Sequence, residues 1–299
     1  MTAQASAVVL MPMDAEAPIG IFDSGIGGLS VLRHMREALP QERLLYFADS
    51  GYAPYGDKDE QQIVARSLSI AGFLVDAGIK ALVVACNTAT AAAIQAIRQR
   101  WPTLIVVGIE PGLKPAVAQS RSGVIGVLAT RSTLVSARFI ALREQIATAA
   151  KVVFLSQACV GLVDQIEKGE LHSPATAVLV DRYVMPLIAQ GADTLVLGCT
   201  HYPFARALIM SAAQHAGCAA PVLIDTGEAV TRQLVRLLEA SQLRRRPVAA
   251  GELADAPANE RASAAGSLLA YTTASASTLS TALVSLLKME AEVQQIAAN

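Results

Sequence analysis

The chain has 299 residues, of which 53% are hydrophobic and 16% charged, and its formal net charge is −1. This composition excludes wholesale disorder, and it supplies no basic excess for binding nucleic acid or an anionic membrane surface. No apolar run reaches the ~18–20 residues of a transmembrane helix, and residues 1–18 lack the basic start of a secretory signal. We therefore expect a cytoplasmic protein of about two domains with reduced thiols.

Strand-like apolar runs alternate with amphipathic, helix-like runs along the chain. The predicted strands cover residues 19–23, 44–48, 81–85, 105–108, 124–128, 152–155, 194–197, 222–224 and 268–272. The predicted helices include residues 29–39, 61–77, 88–99 and a closing helix over 278–296. Residues 244–266, rich in Ala, Pro and Gly, are predicted to form a long surface loop. This alternation predicts an α/β fold with mainly parallel sheets covered on both faces.

The first predicted strand ends in a glycine-rich turn, Asp23-Ser24-Gly25-Ile26-Gly27-Gly28. Glycines after a strand let backbone N–H groups approach an anion at the start of a helix. The spacing is not GxGxxG and no lysine follows as in a P-loop, so a small carboxylate fits this turn better than a nucleotide. Asp23 would then lie near the ammonium group of the substrate or near a catalytic thiol. A capping aspartate in a tight turn is the competing interpretation.

Two segments about one domain apart resemble each other. Residues 82–88 and 195–201 each contain an apolar strand, a small residue, a cysteine and polar residues that open a predicted helix. A weaker similarity relates residues 22–25 to residues 154–167. The repetition predicts two similar α/β units related by a pseudo-twofold axis, with the active site in the cleft between them. Chance similarity of short apolar runs is the alternative.

Cys86 and Cys199 occupy matching places in these two segments, each at the end of a strand. Ligands bind at the carboxyl ends of strands in open α/β sheets, and a helix N-terminus lowers the pKa of a thiol. Two such thiols facing one carbon suit racemisation, in which one removes a proton and the other supplies one to the opposite face. Cys159 and Cys218 lack this context and are predicted to be structural residues, with a place near the cleft left open for Cys159.

Polar residues beside the two cysteines are candidates for binding a carboxylate. Asn87, Thr88 and Thr200 supply neutral donors, although ordinary helix capping explains them equally. His201 could assist the proton balance of Cys199, whereas Glu167, taken alone, is typical of a solvated helical carboxylate. The turn at Tyr55-Gly56 lines a pocket or is a packed loop tip. We expect no metal site, because the four cysteines form no CxxC pair and no second ligand pair accompanies His201.

These motifs together resemble the glutamate racemase family. The matching segments are residues 22–29, 54–56, 85–89, 198–203 and 225–227, and residues 126–136 resemble the middle segment of the family. The resemblance implies an isomerase that interconverts L- and D-glutamate without a cofactor and supplies D-glutamate for peptidoglycan synthesis. It therefore implies neither pyridoxal phosphate nor a metal.

The resemblance also implies roles for individual residues. Cys86 would act on D-glutamate and Cys199 on L-glutamate, assisted by Asp23 on the first side and by His201 and Glu167 on the second. Residues implied to bind substrate are Asp23, Ser24, Tyr55, Gly56, Asn87, Thr88, Thr200 and His201.

Family members suggest how the chain is divided and what it binds. We expect an extension over residues 1–18, a first domain over 19–108 plus 222–299, and a second over 109–221. A homodimer is expected, and a peptidoglycan precursor is a possible activator. Two alternatives stay open: an aspartate racemase of the same superfamily, and a second role as a protein that binds and inhibits DNA gyrase. A decarboxylase of the arylmalonate type is a further reading of the superfamily. The decarboxylase needs one cysteine, so the matched pair argues against it.

Overall fold

The computed structural model describes residues 14–246 and 266–297, whose strands form two sheets. The first sheet contains β1 (Ile19–Asp23), β2 (Leu44–Ala48), β3 (Ala81–Val84), β4 (Ile105–Gly108), β9 (Leu268–Thr272) and β10 (Glu292–Gln295), in the order β10-β9-β2-β1-β3-β4. The second sheet contains β5 (Val124–Ala129), β6 (Val153–Ala158), β7 (Thr194–Gly198) and β8 (Val222–Ile224), in the order β6-β5-β7-β8. All neighbouring strands are parallel, as the sequence predicts.

Helices connect these strands and cover the sheets. They are α1 (Leu29–Ala38), α2 (Glu60–Asp76), α3 (Asn87–Arg100), α4 (Leu113–Gln119), α5 (Arg131–Val135), α6 (Ala137–Ala150), α7 (Leu162–Glu167), α8 (Pro174–Ala189), α9 (Arg206–His215), α10 (Gly227–Ala240) and α11 (Ala276–Ala282). Parallel strands need such crossovers, so the predicted α/β class is confirmed. Among the described residues, no helix combines the length and apolar character needed to cross a membrane.

The core explains why the strands are apolar throughout. Every residue of β1, β2, β3 and β7 is buried. Successive side chains of a strand point to opposite faces. Accordingly Ile21 packs in the cluster under α1 with Leu32 and Met35, whereas Phe22 packs in the opposite cluster with Leu74 of α2. A sheet buried on both faces allows no polar alternation in its central strands.

The two sheets repeat one local order, since β2-β1-β3-β4 matches β6-β5-β7-β8. β3 therefore corresponds to β7, which is the correspondence predicted from the residues around Cys86 and Cys199. The correspondence predicted from the weaker similarity, between residues 22–25 and 154–167, is wrong, because β6 corresponds to β2 and not to β1. The strand that matches β1 is β5, which leads into Thr130.

β8 lies at the junction between the two expected domains. β8 pairs with β7, so the strand at 222–224 belongs to the second sheet, although the predicted division gives it to the first domain. The chain returns to the first sheet after β8, where α10 packs against α1.

The predicted closing helix over 278–296 is also wrong. It ends after a π-helical turn at Leu283–Leu287, and Lys288 has a left-handed φ of 57°. β10 then pairs with β9, because the open edge of β9 offers a backbone ladder that outweighs the helical preference of Glu and Gln. Most of the predicted loop at 244–266 and of the predicted extension at 1–18 lies outside the described residues.

Candidate active site

The carboxyl ends of the two sheets face each other and are joined by hydrogen bonds. Thr200 follows β7, and its Oγ1 donates to Oδ2 of Asp23, the last residue of β1, at 3.0 Å. Ser30 Oγ of α1 donates to the Thr200 carbonyl oxygen at 2.9 Å. The backbone N–H of Ile26 donates to Glu167 Oε1 at 2.8 Å. The residues that the sequence singled out near β1, β3 and β7 thus meet at one place, where ligands bind in open α/β sheets.

Cys86 follows β3 and is the N-cap residue of α3. Its Sγ accepts the backbone N–H of Ala89 at 3.4 Å and lies 3.5 Å from Ser24 Oγ. Burial, followed by the charge of Asp23, raises the pKa of Cys86 to about 12, although the two hydrogen bonds act in the opposite direction. The lowered pKa predicted for a thiol at this helix start is wrong, because desolvation of the thiolate outweighs the helix N-terminus.

Asp23 is fully buried between the two sheets. One carboxylate oxygen accepts the Gly25 N–H at 2.9 Å, and the other accepts the Thr200 hydroxyl. Burial raises the pKa of Asp23, although the charge of His201 and these hydrogen bonds lower it. Asp23 therefore both caps the turn and lies within electrostatic reach of Cys86, which combines the two interpretations of this residue.

The glycine-rich turn admits side chains from the second half of the chain, which occupy the space predicted for an anion. A Cβ atom at Gly25 would lie 2.0 Å from Glu167 Oε1, and one at Gly27 would lie 2.3 Å from His201 Nδ1. The N–H of Ile26 is already bonded to Glu167. The predicted carboxylate cradle is thus occupied, at least at Ile26, by a carboxylate of the protein itself.

Cys199, His201 and Glu167 form a hydrogen-bonded chain in the second half of the site. Cys199 Sγ lies 3.6 Å from His201 Nδ1, and His201 Nε2 lies 2.5 Å from Glu167 Oε1. Burial opposes a charge on His201, but its hydrogen bonds to Cys199 and Glu167 raise the pKa of His201 well above its ordinary value. This is the arrangement of a thiol, an imidazole and an orienting carboxylate. The interpretation of Glu167 as merely solvated is therefore wrong.

The backbone after Cys199 is a turn, not the helix start that the sequence predicts. A short 3₁₀ helix, Tyr202–Ala205, follows His201, and α9 begins only at Arg206. His201, rather than a helix N-terminus, is therefore the electropositive group beside this thiol.

The predicted substrate-binding residues differ in whether their polar atoms already have hydrogen-bond partners within the protein. Asn87 is 4% exposed, and among the described residues neither its Oδ1 nor its Nδ2 has a hydrogen-bond partner. A buried amide without protein partners requires a ligand or an ordered water at this point. Thr88 Oγ1 instead bonds Thr130 Oγ1 at 2.9 Å. The Tyr55 hydroxyl donates to Asp49 at 2.6 Å, so it is committed within the first sheet's core and not free for a substrate.

A family model for Asp/Glu/hydantoin racemases matches residues 19–234. The glutamate racemase of Ectopseudomonas mendocina is 54% identical over 229 residues, which cover 77% of this chain and 85% of that protein. The chain belongs to the glutamate racemase family. Members of this family are amino-acid racemases, and the resemblance stated from the motifs is confirmed.

Solved glutamate racemases share the fold. An isoform from Bacillus anthracis is 28% identical with a TM-score of 0.78, and the match covers 94% of this chain and 98% of that one. The Escherichia coli glutamate racemase in complex with L-glutamate and the activator UDP-MurNAc-Ala is 28% identical with a TM-score of 0.74, over 94% and 98% of the two chains.

The cleft of this racemase is closed in the structure. Cys86 is 5% exposed and Cys199 is 6% exposed. The cavity at the rim, lined by Gly56, Thr130 and Cys159, has a volume of about 30 Å³, which is room for about two water molecules. Both thiols are therefore almost fully screened from solvent in this structure.

Sequence reasoning missed a group of hydroxyls after β5 that closes this racemase cleft. Thr130 and Thr133 bond Thr88, and Ser132 Oγ donates to the Gly56 carbonyl oxygen at 2.5 Å. Their position in the sequence could have revealed them, because they follow β5, the strand that corresponds to β1. Among the described residues no cluster of His, Cys, Asp and Glu is arranged to hold a metal.

Proposed function

We propose that this racemase interconverts L- and D-glutamate by a two-thiol mechanism that uses no cofactor. The observation that carries the proposal is the placement of Cys86 and Cys199 after the corresponding strands β3 and β7. Each thiol has its own polar partners, and the charge of a Cys199 thiolate raises the pKa of Cys86, so the two sulfurs lie within electrostatic reach of each other.

In the L-to-D direction, the Cys199 thiolate removes the α-proton of L-glutamate. The Cα–H bond breaks, its electron pair spreads into the α-carboxylate, and an S–H bond forms on Cys199. The Cys86 thiol then gives its proton to the opposite face of Cα. The product is D-glutamate, and the cysteines have exchanged roles, so a reverse turnover or proton exchange with water restores the starting state.

The acidic and basic residues beside each thiol support these separate roles of Cys199 and Cys86. Hydrogen bonds to Cys199 and Glu167 raise the pKa of His201 well above its ordinary value, which favours an imidazolium that stabilises a Cys199 thiolate. Cys86, with a pKa of about 12, is a thiol at neutral pH and is ready to donate a proton. In the D-to-L direction Cys86 must first lose that proton, and Asp23, whose pKa is raised by burial, is the group that takes it.

The remaining polar residues would bind the substrate when the cleft opens. Asn87 offers an amide with no partner among the described residues, and we assign it to a substrate carboxylate or ammonium group. Ser24, Thr88 and Thr200 supply hydroxyls, and the Tyr55-Gly56 turn supplies backbone groups, since the Tyr55 hydroxyl is engaged elsewhere.

We further propose that each sheet with its helices is one domain and that the two domains separate to admit substrate. The first domain would contain residues 19–108 and the chain from α10 onward, and the second would extend through β8. The product would supply D-glutamate for peptidoglycan in the cytoplasm, and the protein would act as a homodimer. Because the E. coli relative binds UDP-MurNAc-Ala as an activator, we propose the same class of activator here.

The decisive test is incubation of the purified protein with L- or D-glutamate in D₂O without added cofactor. Circular dichroism follows the optical signal, and proton NMR follows the α-hydrogen. We expect the optical signal to vanish while deuterium enters the α-position. Unchanged signals from folded protein, with and without UDP-MurNAc-Ala, would contradict the proposal. Aspartate, tested in parallel, separates a glutamate enzyme from an aspartate racemase.

A further inference from the structure

A buried carboxylate outside the catalytic set organises the loop between β2 and α2. Asp49, the residue after β2, has no exposed surface. Its Oδ2 accepts the Tyr55 hydroxyl at 2.6 Å and Arg66 Nε at 2.8 Å. Its Oδ1 accepts an Arg66 terminal nitrogen at 2.9 Å and the Thr273 hydroxyl at 2.8 Å. Both oxygens are therefore fully used within the protein.

These bonds join three separate parts of the first sheet's surroundings. Arg66 belongs to α2, Thr273 follows β9, and Tyr55 belongs to the turn Tyr55–Asp57. Thr273 Oγ1 also accepts the backbone N–H of Gly51 at 3.0 Å. The loop thus takes its shape from side chains converging on one carboxylate, because it has no strand partner to fix it.

Arg66 is suited to this place by its shape as well as its charge. Its planar guanidinium bonds both oxygens of Asp49 and lies 4.0 Å above the centre of the Tyr52 ring. A lysine carries the same charge but can reproduce neither the two-pronged contact nor the stacking. The fixed direction of this fork also fixes the orientation of the Asp49 carboxylate that holds Tyr55.

The turn held in this way packs beside Phe22 of β1 and contacts the opposite half of the cleft. The Tyr55 ring is 2% exposed and lies 6.2 Å from the Phe22 ring, centroid to centroid. The Gly56 carbonyl oxygen accepts Ser132 Oγ of α5. A displaced Tyr55 side chain would therefore shift both the backbone assigned to substrate binding and the contact that closes the cleft.

We propose that Asp49, Arg66 and Thr273 are positioning residues that set the affinity for glutamate by holding the Tyr55-Gly56 turn. The inference rests on the proposed function and adds residues that none of its steps uses. The three residues act through Tyr55 and Gly51, so they set the Michaelis constant and leave the proton transfers at the two thiols unchanged.

The sharpest test compares two substitutions of one residue. Thr273→Val removes the hydroxyl that bridges Asp49 and Gly51 at nearly constant volume, and Thr273→Ser keeps it. Arg66→Lys is the second probe, because it keeps the positive charge and loses the bidentate contact with Asp49. Its matched control is Arg232→Lys, in an exposed ion pair with Glu228. KM and kcat are measured with both enantiomers, together with the thermal unfolding midpoint.

We expect Thr273→Val and Arg66→Lys to raise KM about tenfold for both enantiomers, the size of one lost hydrogen bond to a charged group. kcat should stay within about threefold, and Thr273→Ser and Arg232→Lys should behave like the unaltered protein. A lower kcat at unchanged KM, tracking a lower unfolding midpoint, would mean a purely structural network and overturn the proposal. Unaltered protein that does not racemise glutamate would instead refute the proposed function, so the two failures are distinct.

Discussion

His201 Nε2 lies 2.5 Å from Glu167 Oε1, and that same oxygen accepts the backbone N–H of Ile26 from the opposite half of the cleft. The group that controls the imidazole beside Cys199 is thus held by both halves of the protein at once. Separation of the halves would remove one of these two bonds, so the electrostatics of Cys199 are coupled to closure of the cleft.

Glu167→Gln tests the control of His201. The amide keeps the shape but removes the negative charge, so the pKa of His201 should fall from its raised position. Loss of the imidazolium then occurs at lower pH, and the alkaline limb of kcat/KM for L-glutamate should move to lower pH. At neutral pH we expect a loss of about tenfold, the scale of one charged hydrogen bond. An unchanged pH profile would show that Glu167 does not act through His201.

Gly25→Ala should resemble Glu167→Gln in its kinetics. The added Cβ would lie 2.0 Å from Glu167 Oε1, and the carboxylate would swing aside because it is the end of a flexible side chain. The double variant should then lose little more than either single variant, since both remove one interaction. Gly72→Ala, whose Cβ would meet Trp101 only at 3.8 Å, is the control. Additive losses in the double variant would contradict this reading of the turn.

Asp23→Asn should lower the activity of the protein and raise its stability at neutral pH. Burial raises the pKa of Asp23 above its ordinary value of 3.8, so the folded protein holds this proton more tightly than the unfolded chain. Stability is therefore lost as the pH rises from 3.8 through the raised pKa, and at neutral pH the buried charge is a net cost. The neutral amide should raise the free energy of unfolding at pH 7 by about 1 kcal/mol while reducing turnover of D-glutamate. Denaturant unfolding at pH 4 and pH 7 measures this, and a variant less stable at pH 7 would contradict it.

Ser132→Ala tests closure of the cleft. Removing the hydroxyl that bonds the Gly56 carbonyl oxygen should favour the open form by about 1 kcal/mol, or about fivefold. Alkylation of Cys86 and Cys199, followed by mass spectrometry, should accelerate by that factor. Cys218, which is already partly exposed outside the cleft, serves as the internal reference. Equal acceleration at Cys218 would indicate general loosening instead of opening.

The fold was predictable where burial alone decides it. The central strands, such as Ile19–Asp23 and Thr194–Gly198, are wholly buried, and buried parallel strands are recognisable as short apolar runs. β10 was not predictable, because Glu292–Gln295 is polar and largely exposed and becomes a strand only through the open edge of β9. A contact between distant parts of the chain leaves no periodicity in the local sequence.

In the site, the positions of residues were predictable from the sequence, whereas their electrostatic environment was not. The sequence placed Cys86 at the start of a helix, which is correct, but its thiol has the opposite pKa shift from the one expected. A helix N-terminus contributes about 0.3–1 kcal/mol, whereas a rise of the pKa from 9.0 to about 12 corresponds to on the order of 4 kcal/mol. Burial by the second half of the chain, invisible in the local motif, decides the outcome.

The most direct test of the two-thiol proposal is deuterium uptake by each enantiomer in single-cysteine variants. With Cys86→Ser, the Cys199 thiol should still exchange the α-hydrogen of L-glutamate in D₂O, but no D-glutamate should form. With Cys199→Ser, only D-glutamate should exchange, and no L-glutamate should form. Proton NMR and chiral chromatography read out both quantities. Racemisation that persists in either variant, or exchange of both enantiomers by one cysteine, would contradict the assignment of one thiol to each face.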